Sequence, residues 1–269
     1  MSPPDLAPLG WNAGLQASLE AVPPPPQPAA PVAARVSGVH RDASRVLTGA
    51  EELTADVSGR LRHAAASPLD LPTVGDWVAI AARPAEGRAT VHAVLDRRSV
   101  LVRKAAGTRT DAQPLAANVD TVLVVTSCNQ DLEPRRIERA LVLVWDAGAV
   151  PVVVVNKTDL VPDAADLVAE LSAALPGVEV HGLSAGTGQG IDALAPHLAA
   201  GRTLALLGSS GVGKSTLANR LLGAERLATR AIREDAARRR ETKTSRQLVA
   251  RPGGALRTAR DAAGANDTA

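Results

Sequence analysis

The chain of 269 residues contains no tyrosine, no phenylalanine and only three tryptophans. Flat aromatic surfaces for stacking nucleic-acid bases are therefore nearly excluded, and hydrophobic cores must consist of aliphatic side chains. The single cysteine, Cys128, excludes a disulfide framework and a cysteine-based zinc cluster. It follows a predicted strand, and we interpret it as a packing thiol rather than a nucleophile.

Long apolar runs and a strong net charge are also lacking. No apolar run approaches the roughly 18 residues that cross a bilayer, and no secretory signal is recognisable, so we predict a cytoplasmic protein without a membrane partner. The net charge is only +2. Nine basic and four acidic side chains nevertheless lie between residues 225 and 251, and this local excess favours contact with RNA phosphates.

The composition changes along the chain. Nine of the 19 prolines lie in residues 1–35, which predicts an extended or disordered N-terminal arm with a short docking helix between Leu9 and Leu19. Short β-prone runs then predict a small β-barrel or sandwich over residues 36–107. Over residues 108–251, strand and helix patterns alternate, which indicates an α/β domain with a mainly parallel sheet. Residues 252–269 contain no recognisable element and are expected to be a disordered or aberrant tail.

The strongest motif lies between a predicted strand and a predicted helix. The nine residues from Gly208 to Thr216 match the phosphate-binding loop pattern in full. Glycines let backbone N–H groups face a phosphate, and the helix N-terminus adds positive potential. We expect Lys214 to reach the β- and γ-phosphates and the Ser215 hydroxyl to bind Mg²⁺. The predicted binding residues of this loop are Gly208, Ser209, Ser210, Gly211, Val212, Gly213, Lys214, Ser215 and Thr216.

Two further segments that follow predicted strands point to recognition of a guanine base. An aspartate carboxylate, here that of Asp159, accepts hydrogen bonds from both the N1–H and the amine of guanine, a pair that adenine does not offer. Asn156 is predicted to hold the base edge and the neighbouring loops, and Lys157 to lie over the ring or brace the phosphate loop. A second segment supplies a small residue and a backbone N–H for the guanine oxygen. The predicted base-binding residues are Asn156, Lys157, Thr158, Asp159, Ser184 and Ala185.

The order of these motifs is unusual, because the base-recognition segments precede the phosphate loop. A circularly permuted chain produces that order on an unchanged sheet. The chain resembles the circularly permuted, ribosome small-subunit-dependent GTPase A family of bacteria over residues 9–254. The resemblance is carried by Gly10-Trp11, Val74-Gly-Asp-Trp-Val78, Val94-Leu-Asp-Arg-Arg-Ser-Val-Leu-Val-Arg-Lys-Ala-Ala-Gly107, Ala117-Asn-Val-Asp120, Arg136-Ile-Glu-Arg139, Asn156-Lys-Thr-Asp-Leu160 and Gly211-Val-Gly-Lys-Ser215.

The resemblance implies an OB-fold barrel that binds ribosomal RNA, a permuted GTPase domain and a zinc-binding C-terminal domain. It implies Mg²⁺-dependent hydrolysis of GTP to GDP and phosphate, and a role in late maturation of the small ribosomal subunit. The expected partners are guanine nucleotide and the small subunit with its RNA, and the chain is expected to be a monomer. The cysteine and histidine ligands of the family's zinc domain are missing here, so no zinc site is predicted.

The first switch of the family corresponds to residues 238–248 of this chain. There Thr242 and Thr244 are alternative ligands for Mg²⁺, because a threonine hydroxyl closes on the metal and the γ-phosphate when such a loop orders. Together with Lys214 they form the predicted catalytic set. Thr244 joins Ser215 in the predicted Mg²⁺ site.

The sequence departs from the family after residue 252, where the family has an apolar strand that ends in Asp-Thr-Pro-Gly. No such strand is recognisable, and only Asp261 and Gly264 fit the Asp-x-x-Gly spacing. A truncated or frame-shifted gene product would have this sequence. One alternative function is therefore a guanine-nucleotide-binding RNA-binding module with little or no hydrolysis, and another is a defective fragment without a stable GTPase domain.

The remaining chemistry-bearing residues are interpreted as structural. The five histidines are scattered without ligand spacing, and no metal site is predicted from them. Trp77 and Trp145 are predicted to be core residues.

Overall fold

The computed structural model describes residues 6–24, 30–40, 43–104, 112–128, 132–223, 247–251 and 254–258. The predicted switch residues Thr242 and Thr244, and the pair Asp261 and Gly264, lie outside these ranges. The α-helices are α1 (Ala13–Glu20), α2 (Gly59–Ala64), α3 (Pro134–Asp146), α4 (Ala164–Ala174) and α5 (Lys214–Leu222). The strands are β1 (Val32–Val39), β2 (Ser44–Leu47), β3 (Glu52–Val57), β4 (Trp77–Arg83), β5 (Arg88–Val94), β6 (Val100–Lys104), β7 (Ala112–Ala117), β8 (Thr121–Ser127), β9 (Val150–Asn156), β10 (Glu179–Gly182), β11 (Thr203–Leu207), β12 (Gln247–Arg251) and β13 (Gly254–Thr258).

The chain forms two compact units. The first comprises Met1–Val119, Ala200–Thr203 and Ser245–Ala255, and the second comprises Asp120–Ala199, Leu204–Thr244 and Leu256–Ala269. The first unit therefore includes three stretches of the chain that are far apart in sequence. None of the helices in the described residues is long and apolar enough to span a bilayer.

The first unit contains a closed five-stranded barrel. Strand β1 pairs antiparallel with both β2 and β4, and the circuit is completed by β2 with β3, β3 parallel to β5, and β5 with β4. Alternating side chains of these strands fill the barrel with small aliphatic groups, including Val36, Val46 and Val91. Closure removes the unpaired edges that an open sheet of this size would expose. The predicted barrel is thus confirmed.

An extended or disordered arm is predicted for residues 1–35, whereas the described residues 6–24 contain helix α1 and the described residues 32–35 belong to strand β1. Helix α1 begins after Asn12, whose side-chain oxygen accepts a hydrogen bond from the Leu15 N–H at 3.1 Å and caps the helix. Leu9 and Leu15 are buried in a cluster with Trp77. Burial of these apolar side chains offsets the entropy of ordering a proline-rich segment. The predicted docking helix is confirmed, although it begins at residue 13.

The second unit is built on a sheet with the order β10-β9-β8-β11-β13. The first four strands are parallel, in agreement with the predicted α/β architecture. Most of their buried residues are aliphatic, as in Val152 to Val155, and helix α5 packs Leu217 and Leu221 into the cluster that includes Val152 and Val154. Strands buried on both faces have such continuous apolar runs.

Two further expectations need correction. Strand β13 lies next to β11, although the sequence showed no strand after residue 252. An arginine interrupts this short segment, and only the hydrogen-bonding neighbour makes it a strand. Trp77 is fully buried as predicted, whereas the Trp145 residue is 53% exposed, because α3 turns its other face, with Ile137, Leu141 and Val144, inward.

Candidate nucleotide-binding site

The predicted motifs of the second unit lie at one edge of its sheet. Strands β8, β9, β10 and β11 are parallel, so their carboxyl ends face the same side. Gly208 directly follows β11, Asn156 ends β9, and Ser184 lies two residues after the end of β10. In open α/β sheets, ligands bind in the crevice beyond the carboxyl ends of the strands.

Two glycines in the loop between β11 and α5 have no room for a side chain. Gly208 has φ +153°, and a Cβ atom there would lie 2.1 Å from the Val125 carbonyl oxygen. Gly213 has φ +97°, and its Cβ would lie 2.3 Å from the Asn156 side-chain nitrogen. The loop is therefore packed tightly against two neighbouring strand ends, a conformation that only glycine permits at these positions.

The Lys214 side chain folds back over the loop. Its Nζ donates hydrogen bonds to the Gly208 carbonyl at 2.8 Å and to the Ser209 carbonyl. Ser215 lies half-buried in the first turn of α5. A hydroxyl at that position is a hard oxygen donor of the kind that Mg²⁺ prefers, so the residues present suit this ion.

Asn156 connects the predicted phosphate-binding and base-binding segments. Its side chain is 2% exposed. The side-chain nitrogen donates to the Val212 carbonyl at 2.7 Å, and the side-chain oxygen accepts from the Ala185 N–H at 2.9 Å. One amide therefore satisfies a group in each loop, and the predicted contact of Asn156 with its neighbouring loops is observed.

The segment after β10 is a compact turn. The Ser184 hydroxyl accepts from the Thr187 N–H at 3.1 Å, and the Ser184 N–H donates to the Gln189 carbonyl at 2.9 Å. The Ala185 N–H donates to the Asn156 side-chain oxygen. Both backbone N–H groups of the predicted Ser-Ala pair are therefore hydrogen-bonded within the protein. Arg220 on α5 further fixes this turn through the carbonyls of Ala185 and Gly186.

The segment after β9 leaves its carboxylate accessible. Lys157 has φ +66°, an uncommon left-handed conformation that turns the chain into the short 3₁₀ helix Thr158–Leu160. Asp159 is exposed. Beneath this turn, the Cys128 thiol donates to the Lys157 carbonyl at 3.0 Å. Burial raises the pKa of this thiol, in keeping with the predicted packing role.

Two arginines at this edge were given no role in the sequence analysis. Arg136 on α3 donates to the Ser209 hydroxyl at 2.8 Å, and Arg220 lies six residues after Lys214 on α5. Arg136 lies in one of the stretches that carry the family resemblance, and that position in the sequence could have pointed to a role for it. For Arg220 the sequence offers no signal, because its partners lie more than 30 residues away in the chain.

Comparisons with known proteins identify the family of the chain. The family described as RsgA GTPase matches residues 94–260. The chain is 47% identical over 221 residues to small ribosomal subunit biogenesis GTPase RsgA 2 of Lactiplantibacillus plantarum, which covers 82% of this chain and 62% of that protein. It is 42% identical over 255 residues to small ribosomal subunit biogenesis GTPase RsgA of Syntrophotalea carbinolica, and the match covers 92% of this chain and 68% of that protein.

Solved structures show the same fold. The crystal structure of YjeQ from Thermotoga maritima superposes with a TM-score of 0.61 at 26% identity and covers 86% of this chain and 74% of that one. YloQ, described as a circularly permuted GTPase, superposes with a TM-score of 0.58 at 21% identity. The chain spans 62% and 63% of the lengths of two of its curated relatives. With the family match over residues 94–260 and the permuted order of its motifs, this chain belongs to the RsgA GTPase family.

Proposed function

We propose that the chain binds guanine nucleotide and hydrolyses GTP to GDP and phosphate. The observation that carries the proposal is the Asn156 side chain, which joins the phosphate loop at Val212 to the turn at Ala185. This contact holds a phosphate-binding segment and a base-binding segment at a fixed separation. The names of the relatives describe GTPases, which favours hydrolysis over nucleotide binding alone.

In this proposal the phosphates lie against the N-terminus of α5. The first N–H groups of a helix lack partners within it and, with the helix dipole, attract anions. Lys214 would exchange the carbonyls of Gly208 and Ser209 for phosphate oxygens, and the charged pair formed is stronger than the bonds given up. Ser215 would hold Mg²⁺, which would supply positive charge beside the phosphates. The predicted ligands Thr242 and Thr244 lie outside the described residues and remain part of the proposal.

The exposed Asp159 carboxylate would select guanine by accepting hydrogen bonds from the ring N1–H and the amine. Thr158 and Lys157 would border the base. Hydrogen bonds to a charged group are worth about 1.5–3 kcal/mol each. Asp159→Asn replaces one acceptor by a donor, so we expect the affinity for GDP to fall by about 10- to 100-fold.

Competition against a fluorescent GDP analogue tests nucleotide binding. Unlabelled GDP and GTP should displace the analogue and ATP should not, and xanthosine diphosphate should compete better with the Asp159→Asn variant than with the original chain. Asp163→Asn alters another exposed carboxylate nearby and serves as the matched control. Displacement by ATP, or equal effects of the two substitutions, would argue against the proposed base site.

We further propose that the chain acts on the small ribosomal subunit through ribosomal RNA. The names of the relatives refer to biogenesis of that subunit, and the basic stretch between residues 225 and 251 suits RNA phosphates. With purified small subunits present, multiple-turnover phosphate release should accelerate, and Lys214→Ala should abolish the acceleration. Co-sedimentation with subunits should weaken as salt rises. An equal rate of phosphate release with and without small subunits would contradict the proposal that the small subunit is a partner.

A further inference from the structure

Three side chains with metal-binding atoms converge in the second unit. Glu179 and His181 are two residues apart on β10, so their side chains point to the same side of the sheet. His197 reaches them from the 3₁₀ helix Ile191–Leu198. The fold thus joins histidines that are 16 positions apart and that showed no ligand spacing in the sequence.

The distances suit a shared metal ion. The Glu179 Oε2 atom lies 3.3 Å from the His181 Nε2 and 3.0 Å from the His197 Nε2. All three ligand atoms lie within 4.8 Å of one another. Metal–ligand bonds of 2.0 to 2.2 Å in a tetrahedral site place neighbouring ligand atoms about 3.3 Å apart. The separations of 3.3 Å and 3.0 Å are close to that value, and metal binding would require the two imidazole nitrogens to lie at a similar separation from each other.

The donor set is selective in its chemistry. Two imidazole nitrogens and one carboxylate oxygen form a common protein ligand set for zinc and neighbouring transition metals, with water in the remaining position. Magnesium and calcium prefer oxygen ligands alone. The imidazoles are held in place, because only 25% of the His181 side chain and 11% of the His197 side chain are exposed, whereas Glu179 is 59% exposed.

We propose that Glu179, His181 and His197 bind one divalent transition-metal ion of the zinc class. Without metal, each Nε2 atom shares a hydrogen bond with the Glu179 carboxylate. On binding, each imidazole would coordinate through an unprotonated Nε2 as the neutral ring with its proton on Nδ1, so that a proton on Nε2 of a neutral ring is replaced by one taken up at Nδ1 and an imidazolium releases its Nε2 proton to solvent. The metal would cross-link β10 to the 3₁₀ helix. It would thereby close a loop that contains the turn at Ser184 and Ala185. The site is separate from the zinc domain implied by the family resemblance, and it does not depend on nucleotide binding.

Metal titration of the untagged full chain, stripped with a chelator, tests the proposal. We expect one equivalent of Zn²⁺ to bind in competition with a chromophoric chelator, and Co²⁺ to produce the visible absorption of a low-symmetry site. His181→Asn, His197→Asn and Glu179→Gln should each weaken Zn²⁺ binding by at least about 10-fold. His63→Asn changes an exposed histidine of α2 and should leave it unchanged.

Two further measurements separate loss of the site from loss of the fold. Zn²⁺ should raise the melting temperature of the original chain and of His63→Asn but not of the three ligand variants, whose metal-free melting should match the original. X-ray absorption of the zinc-loaded original chain should show two imidazole ligands and no sulfur. The proposal would be overturned if all three ligand variants kept the full Zn²⁺ affinity, or if the absorption spectrum showed a sulfur ligand from Cys128. It would also be overturned if the original chain bound Zn²⁺ no more tightly than a variant that combines the three substitutions.

Discussion

The two units of the chain bury different kinds of side chains. In the first unit, Arg35 and Asp76 are 1% and 0% exposed. Among the described residues of the second unit, the buried polar side chains are all uncharged, and those of Asn156 and Ser184 lie at the ends of strands. The first unit thus contains charge within its core, whereas the second keeps an aliphatic core and places polar groups where a ligand would bind.

The buried charges of the first unit are fully engaged. Arg35 donates to the carbonyls of Leu9, Gly75 and Asn118 and to the Thr203 hydroxyl, and its guanidinium lies 5.4 Å from the Trp77 ring centre. These partners come from four separate places in the chain. The network specifies how distant segments of the unit meet, a role for which nondirectional apolar contacts are less suited.

The largest effect is expected on removing the Asp76 carboxylate. Arg97 binds both of its oxygens at 2.7 Å, and the Thr73 N–H donates to it at 2.7 Å. Asp76→Ala leaves the arginine without its counter-charge and should lower the free energy of unfolding by about 3–5 kcal/mol. Urea unfolding followed by tryptophan fluorescence measures this, since Trp77 lies in the core of the same unit.

Asp56→Ala is the matched control, because its ion pair with Arg88 is about half exposed. We expect a loss of about 0–1 kcal/mol there. Equal losses for the two substitutions would remove the distinction between buried and exposed charge in this unit.

An intermediate effect is expected in the second unit from Asn156→Ala. The substitution leaves the Val212 carbonyl and the Ala185 N–H without their partner. Each unsatisfied buried group costs about 1–3 kcal/mol, so both unfolding free energy and GDP affinity should fall. Gln189→Ala, at an exposed position of the neighbouring turn, should change stability by less than about 0.5 kcal/mol. Unchanged GDP affinity in Asn156→Ala would show that the contact does not organise the site.

The smallest effect concerns Cys128. Its pKa is raised, first by burial and then by the nearby Asp159 charge, so at neutral pH less of the thiol is ionised than in a free cysteine. Alkylation by iodoacetamide should therefore be slower in the folded chain than in urea and should accelerate as pH rises. A thiol that reacts faster when folded would identify an activated cysteine and contradict the packing role.

The placement of the motif residues of the second unit at one edge of its sheet could be predicted from the sequence, because those residues are contiguous in motifs. Each strand end carries its own short signature, from Asn156 to Asp159 and from Gly208 to Thr216, and parallel strands bring such ends together. The contact between Asn156 and Val212 follows from that geometry. In contrast, the engagement of the Ala185 N–H and the contacts of Arg220 depend on how individual side chains pack.

The elements of the first unit were less predictable. Proline content suggested a disordered arm, but Leu9 and Leu15 pack against Trp77, and this apolar burial cannot be read from local composition. The exposure of Trp145 was missed for a similar reason, since an aromatic side chain on a helix does not reveal which face packs inward. Strand β13 depends on a neighbour that is about 50 residues away in sequence.

The sequence by itself determined the presence of the glycine-rich loop at residues 208–216, the Asn-Lys-Thr-Asp segment at residues 156–159 and their order along the chain, because these are residue types at fixed local spacing. Only the tertiary structure decided which buried charges find partners, as for Arg35 and Asp76, and which scattered histidines meet, as for His181 and His197. The physical reason is that desolvation and coordination depend on distances in space. Those distances arise when segments far apart in the chain are packed together.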